Sequence, residues 1–264
     1  MAGTQNISHK LCCRTSCYGQ YSGDLDRVAS DLQENGIRWI EIPLPAVEEI
    51  GSTLAWWSTF GISPLSVIGK ADFADGPLFV QRIEDQCRIA SALGASYLFL
   101  SLKRGDIPEQ EVYSLLQRAG DRAARQDVTV VLETHPDLAT NAEIALATMT
   151  GVDHPSIRIN FDTANIFFYN RGCTAEGELE KILPWVASVH LKDTNGVYQA
   201  WHFPALGEGV VKFRRIIEML DSRGYRGPYT LELEGIKNEE PSWDLYSSRV
   251  ADSVQYLRSL NLGF

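Results

Sequence analysis

The chain is short of the features that mark several common protein classes. It has five cysteines (Cys12, Cys13, Cys17, Cys87 and Cys173), an odd number with no Cys-x-x-Cys pair. That argues against a disulfide framework or a zinc ribbon and favours a reducing compartment. No run of about 18 apolar residues occurs, so no membrane-spanning helix is expected. The segment from Met1 to Lys10 is polar and lacks the apolar stretch of a secretory signal, so a cytoplasmic protein is expected. Positive charge is in the minority: 24 Lys and Arg stand against 34 Asp and Glu, a formal net charge of −10. That balance argues against a nucleic-acid backbone or an anionic membrane as the main partner. No Gly-x-Gly-x-x-Gly follows the first apolar run, which argues against a dinucleotide site.

What the chain does have is ordinary globular chemistry. Its 264 residues are 44% hydrophobic and 22% charged, enough for a full core and unlike a disordered or collagen-like chain. No linker, low-complexity tract or charge run divides it, so a single domain over 1–264 is expected.

Short β-rich runs alternate with helical patterns. Strands are predicted at Lys10–Arg14, Ile37–Ile42, Pro64–Ile68, Ser96–Ser101, Val128–Leu132, Ile157–Phe161, Val186–Leu191 and Tyr229–Leu233. Val128–Leu132 is a continuous apolar run, as suits a parallel strand covered on both faces. Between the strands apolar residues recur at helical spacing. Leu25, Val28, Ala29 and Leu32 precede an Asn35-Gly36 stop, and Phe213, Ile216, Ile217 and Leu220 form a second stripe. Thr140 and Glu143 read as a capping box opening the helix after the fifth strand. Eight repeats over 264 residues take about 33 residues each. That length fits a strand, a loop and a helix, and eight such units close a (β/α)8 TIM barrel, an α/β fold. An open doubly wound sheet is the alternative.

In such a barrel the C-terminal ends of all strands meet at one mouth. The late strands end Val-Leu-Glu133-Thr-His135, Asn-Phe-Asp162-Thr-Ala-Asn165, Val-His190-Leu-Lys192-Asp193 and Thr-Leu-Glu232-Leu-Glu234. Taken singly, each acid reads as a solvated strand end or a helix cap, and His190 as a packed core histidine. Taken together, Glu133, Asp162, His190 and Glu232 aim at a common point from adjacent strands. Converging carboxylates repel one another unless a cation lies between them. Three carboxylates and one imidazole, with no thiolate, suit one divalent metal ion of the hard or borderline kind: Mn, Mg, Co or Zn. Four protein ligands would leave about two positions of an octahedral ion open to substrate.

These segments, with Gly224-Tyr225-Arg226-Gly227-Pro228-Tyr229-Thr230-Leu231-Glu232 and the Leu206-Gly207-Glu208-Gly209 turn, resemble the xylose-isomerase-like barrel superfamily, the sugar phosphate isomerases/epimerases. The resemblance runs over nearly the whole chain. It implies Glu133, Asp162, His190 and Glu232 as metal ligands, with Glu234 a rival to Glu232 because the two share strand parity. It implies a metal-dependent isomerase, either an epimerase or an aldose–ketose isomerase. The substrate would be a ketose or related polyol-derived keto compound, reacting through a metal-stabilised enediolate, with Glu133 and Glu232 carrying protons on opposite faces of the sugar. The alternatives are a dehydratase or lyase on the same site, a non-catalytic sugar-binding barrel, and an abasic-site nuclease relative. The nuclease pattern needs further histidines for a three-metal cluster. Here the third and fourth strands end Ile68-Gly69-Lys70 and Leu100-Ser101-Leu102, and only His202 resembles one of those ligands.

His135 and Lys192 share parity with Glu133 and His190 and are expected at the mouth, holding substrate hydroxyls or stabilising the enediolate. A Lys192–Glu234 pair is the plainer alternative. Asn165, His202 and Glu41 are the other candidate substrate-side residues, with a plain salt bridge as the alternative for Glu41. Phe167, Phe168, Tyr169, Trp201 and Phe203 are expected to roof the mouth, or else simply to pack loop against helix. The Val197–Gly209 loop reads as a lid. Its Gly207-Glu208-Gly209 turn is a weak phosphate cradle, since Glu208 would repel an anion. The expected partner is a small-molecule carbohydrate, with no nucleic acid and no membrane. Apolar residues on the outer helices leave a homo-oligomer open.

Overall fold

The computed structural model describes residues 9–264. Eight parallel strands close into a barrel: β1 (Lys10–Arg14), β2 (Trp39–Pro43), β3 (Ser63–Ile68), β4 (Tyr97–Leu100), β5 (Thr129–Glu133), β6 (Ile157–Asp162), β7 (Val186–Leu191) and β9 (Pro228–Leu231). Two short strands outside it, β8 (His202–Phe203) and β10 (Gly235–Ile236), pair antiparallel. β9 pairs with both β7 and β1, with Tyr229 in register with Leu11, so the sheet has no free edge and the open alternative is excluded.

Helices follow the strands: α1 (Leu25–Glu34), α2 (Ile50–Thr59), α3 (Pro77–Ala92), α4 (Glu109–Ala124), α5 (Ala142–Val152), α6 (Asn165–Tyr169), α7 (Ala175–Ile182), α8 (Phe213–Ser222) and α9 (Trp243–Ser259). Of the stripes read from the sequence, Val28, Ala29 and Leu32 on α1 and Phe213, Ile216, Ile217 and Leu220 on α8 are buried, while Leu25, at the first residue of α1, is exposed. Each large apolar side chain buried this way contributes about 1.5–3 kcal/mol. Past the end of α1, Gly36 takes φ 70°, a left-handed conformation that ends a helix cheaply only with glycine.

Several boundaries differ from the sequence reading. α5 is capped by Asn141, whose side chain accepts the Ile144 N–H at 3.1 Å, and not by Thr140. Glu143 instead sits in the first turn, where a carboxylate meets the positive end of the helix dipole. β2 begins at Trp39 because the Ile37 N–H is still bonded to the Leu32 carbonyl at 2.9 Å. β9 ends at Leu231, one residue before Glu232.

Alternate residues of each strand point into the barrel. Tyr97, Thr129 and Arg158 therefore lie at its N-terminal end, on the same strand faces as Phe99, Glu133 and Asp162 at the other. Two contacts pair buried polar side chains between: Asn160 Nδ2 donates to Ser188 Oγ at 2.8 Å, and Ser66 Oγ to Glu41 Oε2 at 2.6 Å. An unpaired polar group there would cost about 1–3 kcal/mol. Among the described residues no helix is long and apolar enough to cross a membrane.

Candidate active site

Asp162 closes β6 and is fully buried. Its Oδ1 accepts the N–H groups of Ala164 and Asn165, both at 2.9 Å, which fixes the carboxylate at the start of α6. Its Oδ2 lies 3.0 Å from Lys192 Nζ but has no well-directed hydrogen bond. His190, one strand over and in register with Asp162, is held from both sides. Its Nδ1 is 3.0 Å from Glu232 Oε2 and its Nε2 is 3.1 Å from Glu41 Oε1. The ring stacks on Phe99 at 4.8 Å. Glu232 also meets Lys192 Nζ at 3.0 Å and the Arg14 guanidinium. Asp162, His190 and Glu232 each offer a donor atom, and the three atoms lie within 4.8 Å of one another.

Backbone contacts set the position of Glu232. Cys17 Sγ donates to the Leu231 carbonyl and accepts the Leu233 N–H, both at 3.2 Å. The thiol thus grips the chain on either side of the carboxylate.

Carboxyl groups outnumber basic side chains here. Glu41, Glu133, Asp162, Glu232 and Glu234 surround the permanent cations Arg14 and Lys192. Lys192 is the internal counter-ion: its Nζ lies 2.7 Å from Glu234 Oε2 as well as 3.0 Å from Asp162 and Glu232. Burial opposes its charge, but those three carboxylates hold the ammonium well above its usual range. Burial also works against the His190 imidazolium, yet Glu232 and Glu41 raise it to about 10. Asp162 is pushed up to about 7 by burial, with Lys192 pulling the other way. Glu232 is held well below the carboxylate range despite burial, by Lys192, Arg14 and His190. Glu133 goes the other way: burial and the nearby Glu232 charge raise it, partly offset by the Ser101 hydroxyl.

Of these groups Glu133, Lys192 and Glu234 border a cavity of about 250 Å³ at the C-terminal face, and Asp162, His190 and Glu232 lie buried outside its lining. Glu133, His135, Asn165, Lys192 and Glu234 supply its polar wall. Phe168, Tyr169, Trp201 and Phe203 supply the aromatic wall, with Trp201 and Phe203 at 5.2 Å between ring centres. Phe167 instead packs against the core.

A family model described as a xylose isomerase-like TIM barrel matches residues 23–259. The chain belongs to that family. Among curated proteins it is similar to L-ribulose-5-phosphate 3-epimerase UlaE of Salmonella typhi, 31% identical over 137 residues, 51% of this chain and 46% of that protein. The match thus spans about half the length of such relatives. Among solved structures it is similar to a xylose isomerase domain protein from Planctomyces limnophilus, at 22% identity and TM-score 0.77, covering 97% of this chain and 98% of that one. It is also similar to D-allulose 3-epimerase from Methylomonas sp. in complex with D-allulose, at 18% identity and TM-score 0.74, covering 96% and 97%. At such identities the likeness to the solved structures concerns the fold.

The expected site residues fall into three groups. Asp162, His190 and Glu232 converge as a tight cluster. Glu133 stands beside that cluster and outside it, 3.4 Å from Asn165 Nδ2. His135, Asn165 and Lys192 line the cavity, and Lys192 makes the pair with Glu234. Glu41 and His202 do not line it. Glu41 is sealed behind His190, where it takes the Ser66 hydroxyl. His202 lies on β8 between Trp201 and Phe203; neighbours on a strand face opposite sides, and the two aromatics take the cavity side.

Sequence reasoning missed Arg14, Phe99 and Cys17. Arg14 ends β1 as the four acids and the histidine end theirs, so the same strand-end rule applied to the early strands would have found it. No comparable signal marks Cys17, whose contacts span more than two hundred residues of sequence.

Proposed function

We propose that the protein is a divalent-metal-dependent sugar epimerase or isomerase acting on a small ketose or a related keto compound. One observation carries the reading: Asp162, His190 and Glu232 converge within 4.8 Å, buried behind Lys192, which contacts Asp162 and Glu232 and itself lines the aromatic-walled cavity with Glu133. The donor set fits a cation. It offers two carboxylates and an imidazole, Asp162 Oδ2 is buried without a directed hydrogen bond, and acids outnumber bases around it. A divalent ion held there would polarise a carbonyl and neighbouring hydroxyl and so acidify the C–H between them.

The chain's own residues would do the rest. Glu133 lines the cavity and Glu232 lies in the ligand cluster, and their surroundings push the two carboxyls apart. A carboxyl held up and one held down are the complementary states of a proton donor and a proton acceptor. As a fourth metal ligand, Glu133 would have to turn from Asn165. His135 Nδ1 is tied to the Pro136 carbonyl at 2.8 Å, which leaves Nε2 for a substrate hydroxyl. Trp201, Phe203, Phe168 and Tyr169 would shed water and pack on the C–H face of the sugar. In this reading the whole of 1–264 serves as one catalytic domain.

The test is a screen of ketoses with the manganese-loaded protein in deuterated water. Deuterium entering a carbon next to the carbonyl, lost with EDTA and regained with manganese, is the expected result. A protein that binds no divalent metal and shows no exchange with any ketose would overturn the reading. Exchange accompanied by loss of water would make it a dehydratase.

A further inference from the structure

A second cavity lies at the opposite end of the barrel and measures about 530 Å³. Tyr97, Thr129 and Arg158 reach it from the N-terminal ends of β4, β5 and β6. Arg223, just past α8, and Arg226, in the turn before β9, complete the polar wall. The carboxylate cluster sits at the C-terminal ends of the strands, so the depth of the barrel separates the two sites.

Among the described residues three arginines face this cavity and no carboxylate lines it, in a chain with a net charge of −10. Among the described residues, ion pairs with carboxylates are made by Arg14, Arg82, Arg88, Arg122, Arg214 and Arg249, and by none of these three. Arg158 is partly buried, and its Nη1 donates only to carbonyls: His154 at 2.7 Å and Ile157 at 2.8 Å. Burial lowers its guanidinium, and no neighbouring charge offsets that. Arg226 Nη1 donates to the Tyr225 carbonyl at 2.7 Å. Asp221, whose carboxylate feels the Arg226 charge, is turned to His9 at 3.3 Å.

The turn that presents Arg226 is rigid. Tyr225 Oη donates to the Pro228 carbonyl at 2.7 Å, and a Cβ on Gly227 would run into the Ala187 carbonyl of β7. Arg158 is half-buried with no carboxylate to balance its charge, Arg223 and Arg226 stand exposed at the rim, and three like charges around one cavity repel one another. Planar guanidinium forks match the oxygens of a phosphate two at a time. The Tyr97 and Thr129 hydroxyls add neutral donors. A cavity of this size accommodates one small metabolite.

We propose that this floor cavity is a binding site for a small phosphate-bearing anion, separate from the carboxylate cluster and independent of the chemistry there. Arg158, Arg223 and Arg226 hold the phosphate, and the Tyr97 end takes the rest of the molecule where there is one.

The test uses the full chain and titration calorimetry at constant ionic strength, with inorganic phosphate as one probe and ribose 5-phosphate as the other. Saturable binding of inorganic phosphate is expected. Arg158→Gln and Arg226→Gln should each weaken it by about tenfold or more, while Glu133→Gln leaves it unchanged. Arg226 is exposed, so its variant tests the site without threatening the fold. Ribose 5-phosphate binding more tightly than phosphate identifies a phosphorylated metabolite as the ligand, and equal affinity identifies free phosphate. No saturable binding of either probe, or binding untouched by Arg226→Gln, overturns the proposal. Loss of phosphate binding in Glu133→Gln alone would move the anion to the other cavity and overturn it as well.

Discussion

The Asp193 carboxylate and the backbone N–H of Gly209 are bonded at 2.9 Å. The same carboxylate takes the N–H groups of Gly207 at 2.9 Å and Val211 at 3.1 Å. A Cβ at Gly209 would run into that carboxylate and the Thr194 carbonyl, so only glycine permits the contact. The turn that the sequence offered as a weak phosphate cradle is therefore already filled, by the protein's own anion. The loop from Val197 to Gly209 is pinned a second time where β8 pairs with β10.

Asp193→Ala should thus leave four backbone donors, those of Thr194, Gly207, Gly209 and Val211, without their acceptor. A loss of about 1–3 kcal/mol in unfolding free energy is expected. Hydrogen exchange should quicken at Gly207, Gly209 and Val211 while the barrel strands stay protected. Unchanged exchange at those amides would show that the loop holds without Asp193.

Lys192 stands among Asp162, Glu232 and Glu234 as their shared cation. Lys192→Met keeps much of the volume and removes the charge. Breaking a buried ion pair from one side costs about 3–5 kcal/mol. The metal-free variant should lose stability on that scale. Manganese should restore more stability to it than it adds to the wild type, because a bound ion that favours the folded state stabilises it by mass action. Thermal melts with and without manganese check both statements. Equal manganese shifts in the two proteins would mean that lysine and metal do not share a site.

Glu133→Gln separates chemistry from folding. Burial and Glu232 already disfavour the Glu133 charge, so a neutral isostere removes repulsion rather than support. The melting temperature should hold or rise slightly. Deuterium exchange into substrate should fall by about 10²–10⁴ or more, the usual worth of a positioned proton carrier. Retained exchange would place the proton transfer elsewhere.

The fold was legible because its signal repeats. β1 and β7 fall at their predicted bounds, and the α8 stripe and all of the α1 stripe but Leu25 are buried. The convergence of Asp162, His190 and Glu232 was legible for a related reason: strand ends of one barrel must meet, so position along each strand stands in for position in space. That reasoning weakens beyond the strands. His202 was expected at the substrate, but a two-residue strand turns it away from the cavity. Glu41 was expected to end its strand at the mouth, but β2 runs on to Pro43, and His190 and Ser66 occupy the carboxylate from within the wall. Asn141 rather than Thr140 caps α5, a choice between adjacent side chains of similar capping strength.

The cysteines give a prediction that needs no substrate. Cys12, Cys13, Cys17 and Cys87 are buried, and Cys173 alone is partly open to solvent. The Cys87 thiol is pushed up to about 12 by burial and, secondarily, by Glu84. Burial, with Glu41 adding to it, also holds Cys12 well above its usual range. A thiol reagent applied to the native protein should therefore label Cys173 and spare the other four, while urea should expose all five. The same shifts set a direction with pH. A free thiol in the unfolded chain loses its proton near about pH 8.5, whereas the folded chain retains these protons. The unfolded state thus binds fewer protons as pH climbs past that value, and stability must fall. Denaturation midpoints measured from about pH 7 to 10 should decline, and Cys87→Val should make the decline shallower. A slope unchanged by that substitution would mean that Cys87 is not among the groups that retain their protons on folding.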